Sequence, residues 1–101
     1  MTTWFISRHP GAIAWAHAHN LGNARFCVHL DVNEVARGDT VIGTLPVHLA
    51  GQVCARGARF LALTMDVPEN KRGNDISSEE MSALHCSLKE FCVVALPLEK
   101  K

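Results

Sequence analysis

The fold is decided by residues 39–64, which open Asp39-Thr40-Val41-Ile42-Gly43-Thr44-Leu45-Pro46-Val47 and close Gly57-Ala58-Arg59-Phe60-Leu61-Ala62-Leu63-Thr64. Val41-Ile42 is a β-favouring run that Gly43-Thr44 breaks. Pro46 then begins a helix carrying Val47, Ala50, Val53 and Cys54 on one side until Gly57 ends it. Arg59 to Thr64 follows as a further strand. Strand, helix and strand within about 25 residues make a βαβ unit, so its strands are expected to be parallel and its crossover right-handed.

The same alternation runs back to the start of the chain. Trp4-Phe5-Ile6 is a short apolar strand whose Trp4 and Phe5 are expected in the core. It stops at Ser7-Arg8-His9, and Pro10-Gly11 open an alanine-rich helix. Pro10 suits the first helical position because its missing N–H would have no partner there, and Asn20 or Gly22 can supply a left-handed cap. Arg25 to Leu30 reads as the second strand, and Asp31 to Gly38 as a polar connection with room for one helical turn. Beyond Thr64, Asp66 to Asp75 is a turn-rich loop, and Ser77-Ser78-Glu79-Glu80 has the capping-box spacing of a helix running towards His85. Phe91 to Leu96 reads as a last strand, at an edge because Pro97 follows closely. The expected fold is a single α/β domain over residues 1–101, a small Rossmann-like open and mostly parallel sheet with flanking helices.

Composition bounds the function. One domain of 101 residues, 48% hydrophobic and 20% charged, builds one packed core, and all functional residues must share it. Ten basic and ten acidic residues cancel, which argues against a protein that coats long nucleic acid electrostatically. The zero hides an asymmetry: up to Met65, five arginines (Arg8, Arg25, Arg37, Arg56, Arg59) face Asp31, Glu34 and Asp39, with no lysine and five of the six histidines. Arginine without lysine suits bidentate anion recognition, although solvated surface positions are the plainer reading for most of the five. Cys27, Cys54, Cys86 and Cys92 are scattered, without a C-x-x-C pair, so reduced and largely buried thiols in a cytoplasmic protein are expected. The apolar start lacks a basic n-region and meets Arg8 too early for a signal peptide. No run approaches the roughly 18 apolar residues of a membrane span.

In open α/β sheets, ligands bind beyond the carboxyl ends of the strands, where helix N-termini present unpaired N–H groups. Three segments are expected to converge there: Ser7-Arg8-His9-Pro10-Gly11, Gly43-Thr44-Leu45-Pro46, and the loop 66–75. The first brings a hydroxyl, a guanidinium and an imidazole to the positive end of a helix, a chemistry suited to holding and cleaving a phosphodiester. Its bland alternative is a capped turn whose Arg8 pairs with a carboxylate. Thr44 can cap the following helix or donate to a phosphate oxygen. The glycine spacing is neither a Walker loop nor G-x-G-x-x-G, so ATP and dinucleotide cofactors are not indicated. His17 and His19, two apart on a helix, do not share a face and suggest no metal site. Trp15 can stack on a base or pack. His29 and His48 are weaker candidates.

The runs Thr3-Trp4-Phe5-Ile6-Ser7-Arg8-His9-Pro10-Gly11-Ala12-Ile13, Gly38 to Val47, and Cys54-Ala55-Arg56-Gly57-Ala58-Arg59 resemble a small CRISPR-associated accessory family of type III systems. The resemblance implies a ring nuclease that degrades the cyclic oligoadenylate messenger, with cyclic tetra-adenylate the expected ligand, and so switches off the antiviral response. It also implies a metal-independent reaction with no cofactor, in which a ribose 2′-OH attacks its adjacent phosphorus to leave a 2′,3′-cyclic phosphate end. On the physical reading Arg8, His9 and Ser7 are the catalytic candidates, with Pro10, Gly11, Gly43, Thr44, Leu45 and Pro46 binding the ligand. A chain this small cannot surround a four-nucleotide ring, which favours a homodimer. One rival is a module that binds the cyclic nucleotide without cutting it. Another is a histidine phosphatase, which the two-residue Arg8-His9 match and Pro10, where that motif has glycine, disfavour.

Overall fold

Burial is continuous along the central strands β1 (Thr3–Ile6) and β3 (Thr40–Gly43), as a sheet covered on both faces requires, and the full element order is β1, α1 (Pro10–Ala18), β2 (Arg25–Cys27), a 3-10 turn (Val32–Glu34), β3, α2 (Val47–Ala55), β4 (Arg59–Thr64) and β5 (Ser87–Phe91). These come from a computed structural model that describes residues 1–64 and 87–98. The expected loop 66–75, the helix beginning at Ser77 and Cys86 lie outside the described residues. The five strands form one sheet in the order β2-β1-β3-β4-β5, parallel from β2 to β4, with β5 antiparallel at the edge. The small, mostly parallel α/β architecture expected from residues 39–64 is the one observed.

Two apolar layers hold the helices to the sheet. Trp4, Ile6, Val41 and Phe60 point to one face and pack with Ala50 and Val53 of α2 and with Val35. Phe5 and Ile42 point to the other face and pack with Ala12, Trp15 and Ala16 of α1. Helix ends fall where the residues allow them. Pro10 is at the start of α1, Asn20 takes φ 65°, and Gly57 takes φ 84° just past α2.

Four readings need correction. The second strand stops at Cys27 rather than Leu30. Helix α2 begins at Val47, with Pro46 as its cap, and Val47 is 73% exposed rather than part of the buried side. The last strand is Ser87–Phe91, not 91–96. β4 pairs with it only as far as Phe60↔Phe91, after which the chain leaves the edge and seats Val93 against the α2-side layer, so the β propensity of residues 92–96 finds no ladder. The thiols are also less buried than expected, with Cys27 and Cys54 half-buried and Cys92 exposed.

Asp39 is the buried polar centre of the domain, 3% exposed. Its carboxylate accepts from the Thr2 N–H at 2.9 Å, the Ala36 N–H at 2.9 Å and the Trp4 indole N–H at 3.1 Å. The Arg25 guanidinium lies over the same Trp4 ring, 4.8 Å from its centroid. The N–H groups of Thr2 and Ala36, then the Trp4 indole, hold the Asp39 carboxyl below its ordinary value against the opposing effect of burial. A depressed carboxyl stabilises the fold above its unfolded pKa, about 3.9, and that stability is lost as pH falls through the folded value. Asp39→Asn is therefore expected to cost about 2 kcal/mol in urea unfolding at pH 7. It should also flatten the stability loss between about pH 5 and pH 3.

Candidate functional site

The strand order reverses between β1 and β3. From β1 the chain crosses α1 to β2 on one side, and from β3 it crosses α2 to β4 on the other. A crevice therefore opens beyond the carboxyl ends of β1 and β3, flanked by the starts of two helices on opposite faces of the sheet. Ser7-Arg8-His9 leaves β1 at this point and Thr44-Leu45-Pro46 leaves β3, so the first two segments singled out in the sequence are neighbours.

Close approach of these strand ends depends on Gly43. Ile6 and Gly43 are register partners, and Gly43 has φ 148°. A Cβ built there would stand 2.4 Å from the Ile6 carbonyl oxygen. On the other side of β1, the Ser7 N–H donates to the Cys27 carbonyl at 3.1 Å, so the turn is tied to β2 as well.

Within the first segment, the Ser7 Oγ accepts from the His9 N–H at 3.1 Å, a local turn that sets the backbone of His9 as the cap residue of α1. Ser7 keeps its own O–H to donate elsewhere. No side chain caps α1 and no acidic residue occupies its first turn, and the same holds for α2. Both helices thus present the positive ends of their dipoles without an internal counter-charge. The alternative role of Thr44 as a cap is set aside, because Pro46 occupies that position. Arg8, His9, Pro10, Thr44 and Pro46 are exposed, Ser7 and Leu45 half-buried, and Gly11 and Gly43 buried. Leu45 turns its side chain onto the α2-side layer, which anchors its segment.

Only the tertiary structure sorts the five arginines. Arg25 stacks on Trp4. Arg56 donates to the carbonyls of Val35 at 2.7 Å and Asn33 at 3.3 Å. Arg59 makes a two-pronged pair with Glu90 at 2.8 and 3.1 Å, which lowers the Glu90 carboxyl and raises the guanidinium. The side chain of Arg37 lies against Gly57. These four are at the amino-terminal edge of the sheet, whereas Arg8 is at the carboxyl edge and has no hydrogen bond or ion pair among the described residues. The expected bland pairing of Arg8 with a carboxylate does not occur among them.

The histidines divide in the same way. His17 stacks on Phe26 and His19 on Trp15, with centroids 5.1 and 4.3 Å apart. Trp15 is 4% exposed, which withdraws it from base stacking. His9, His48 in the first turn of α2, and His29 just past β2 belong to the carboxyl edge. The strand order puts His29, past β2, and His48, in α2 after β3, on either side of the β1 end that leads to His9, a relation that sequence spacing does not carry. A cavity of about 450 Å³ beside Thr3, Leu21, Asn23 and Arg25 lies at the opposite edge and brings no imidazole. Among the described residues, no group of three His, Cys, Asp or Glu side chains is arranged to hold a metal ion, and no helix is long and apolar enough to cross a membrane.

The family described as "Putative CRISPR-associated protein (Cas_VVA1548)" matches residues 4–94, a span that includes both site segments. The chain belongs to this CRISPR-associated family. No curated protein and no solved structure matches it. In this Cas_VVA1548 member, the ends of β1 and β3 bring residues 7–11 and 43–46 to the same edge of the sheet.

Two glycine replacements test that geometry. Gly43→Ala is expected to destabilise the fold by about 1–3 kcal/mol in chemical unfolding, since the alanine must hold a glycine conformation against the Ile6 carbonyl. Gly51→Ala, where a Cβ meets only Val93 at 3.7 Å, is expected to stabilise by about 0.5–1 kcal/mol through its helical position.

Proposed function

We propose that this CRISPR-associated chain is a ring nuclease that cleaves a cyclic oligoadenylate of type III signalling at the crevice between β1 and β3. The observation that carries the reading is Arg8, without an internal partner among the described residues, beside His9 at the uncapped start of α1. A phosphodiester held there meets a guanidinium, helix N–H groups and an imidazole.

The reaction is in-line transesterification. The ribose 2′-oxygen attacks the adjacent phosphorus, the bond to the 5′-oxygen breaks, and the product is linear with a 2′,3′-cyclic phosphate end. Arg8 and the N–H groups near Gly11 stabilise charge on the phosphorane, and His9 protonates the leaving oxygen. Ser7 positions His9 through its backbone and has a hydroxyl proton to offer a phosphate oxygen. Thr44, exposed on the neighbouring strand end, orients the ribose or a second phosphate oxygen. Gly43 and Pro46 shape the loop that brings it there, as Pro10 does for the start of α1. A two-fold homodimer lets two such crevices share one four-nucleotide ring, each supplying one His9.

Incubation with cyclic tetra-adenylate in EDTA, with separation of the products, is expected to give linear oligoadenylate ending in 2′,3′-cyclic phosphate. Intact ring at stoichiometric protein overturns the reading and leaves a binding module. Arg8→Ala and His9→Ala are each expected to slow cleavage by about a hundredfold or more while circular dichroism stays unchanged. A ring lacking 2′-hydroxyls is expected to bind and remain uncut, because its attacking group is gone. Rates across cyclic tri-, tetra- and hexa-adenylate define the preferred ring.

A further inference from the structure

Cys54 and Cys92 are distant in the chain and adjacent in the fold. Cys54 lies in the last turn of α2, half-buried, with its sulfur against the segment that follows β5. The Val93 N–H donates to Cys54 Sγ at 3.3 Å, and the same thiol faces the Phe91 carbonyl oxygen at 3.9 Å. Those two atoms belong to the peptide units on either side of Cys92. Bond lengths then keep the Cα of Cys92 within about 6 Å of the Cys54 sulfur. Cys92 itself is exposed to solvent. Residues 92–98 carry no regular secondary structure, so a small shift of this arm breaks no ladder of hydrogen bonds.

This pairs an accessible sulfur with a second sulfur held close behind it, the arrangement by which an exposed thiol is oxidised and then resolved. The bounded distance runs from Cys92 Cα to Cys54 Sγ, so closing a disulfide requires the exposed Cys92 side chain to rotate inward and the arm to move with it. Among the described residues Cys27 has no such pairing: it sits at the end of β2, where burial pushes its thiol up, with Arg25 opposing and Glu34 adding to the shift.

We propose that Cys54 and Cys92 form a peroxide-sensitive pair whose disulfide clamps the C-terminal arm onto α2. The Cys92 sulfur attacks one oxygen of hydrogen peroxide, the O–O bond breaks, and Cys92 becomes a sulfenic acid as the first water leaves. The Cys54 sulfur then attacks the Cys92 sulfur, the S–O bond breaks, and a second water leaves. Two thiol hydrogens and one peroxide become two waters, and the two sulfurs together give up two electrons. The clamp makes one covalent unit of the arm, with its exposed Val94, Leu96 and Leu98, and the helix whose first turn borders the crevice. It depends on neither nuclease activity nor a ligand.

The test treats the full chain with hydrogen peroxide, blocks remaining thiols with iodoacetamide and maps tryptic peptides by mass spectrometry. Arg56, Arg72 and Lys89 place Cys54, Cys86 and Cys92 on separate peptides. The expected product is a monomer about 2 Da lighter in which the Cys54 and Cys92 peptides are joined, reversed by dithiothreitol and abolished in Cys92→Ser. Its melting temperature is expected to exceed that of the reduced chain by about 5 °C or more. The proposal is overturned if Cys54 is still alkylated while Cys92 stops at a sulfenic or sulfinic acid, or if Cys92 pairs instead with Cys86 or with another molecule. Cys92→Ser alters only an exposed side chain, so the comparison does not hinge on a core substitution.

Discussion

Three N–H groups converging on one buried carboxylate organise this domain. Asp39 lies just before β3, Thr2 and Trp4 belong to the start of β1, and Ala36 belongs to the loop that returns from β2. A carboxylate out of water is costly unless its lone pairs are filled, and here the filling groups are also the ones that must be aligned for β1 and β3 to pair. Once that register exists, Ile6 meets Gly43 at the far end of the same two strands. Structure at the amino edge thus fixes the backbone geometry at the carboxyl edge.

The two edges have divided the polar residues between them. At the amino edge arginines are spent on stacking, on carbonyls and on a carboxylate, and they close the ends of β2, β4 and α2. At the carboxyl edge, Arg8 with His9, and His48, stand at helix starts that have neither side-chain caps nor acidic residues in their first turns. Zero net charge over the whole chain is thus compatible with the local anion site proposed for this edge.

The C-terminal part shows how tertiary competition overrides propensity. Residues 92–96 are as β-favouring as any in the chain, yet β4 extends only one residue, Arg59, beyond the Phe60↔Phe91 pair, and the α2-side layer has a place for Val93 over Gly51. Packing and the Cys54 contacts take the segment away from the sheet. Val47 shows a related effect at the other end of α2, where the helical period puts it with Ala50 and Val53 but its position in the first turn carries it beyond the sheet.

By itself the sequence determined the βαβ grammar: apolar runs at Trp4, Val41 and Phe60, Pro10 and Pro46 at helix starts, Asn20 and Gly57 at helix ends, and Ser7-Arg8-His9 at a strand end. Those are local properties of backbone and side chain, legible wherever the residues occur. Tertiary structure alone decided the strand order, which puts the reversal between β1 and β3 and makes neighbours of two segments more than thirty residues apart. It also decided that Arg8 has no internal partner among the described residues, that Ser7 accepts from the His9 N–H, and that Cys54 lies against the backbone on either side of Cys92. Each of these is a relation between residues remote in the chain, and no local propensity encodes a distance that only packing sets.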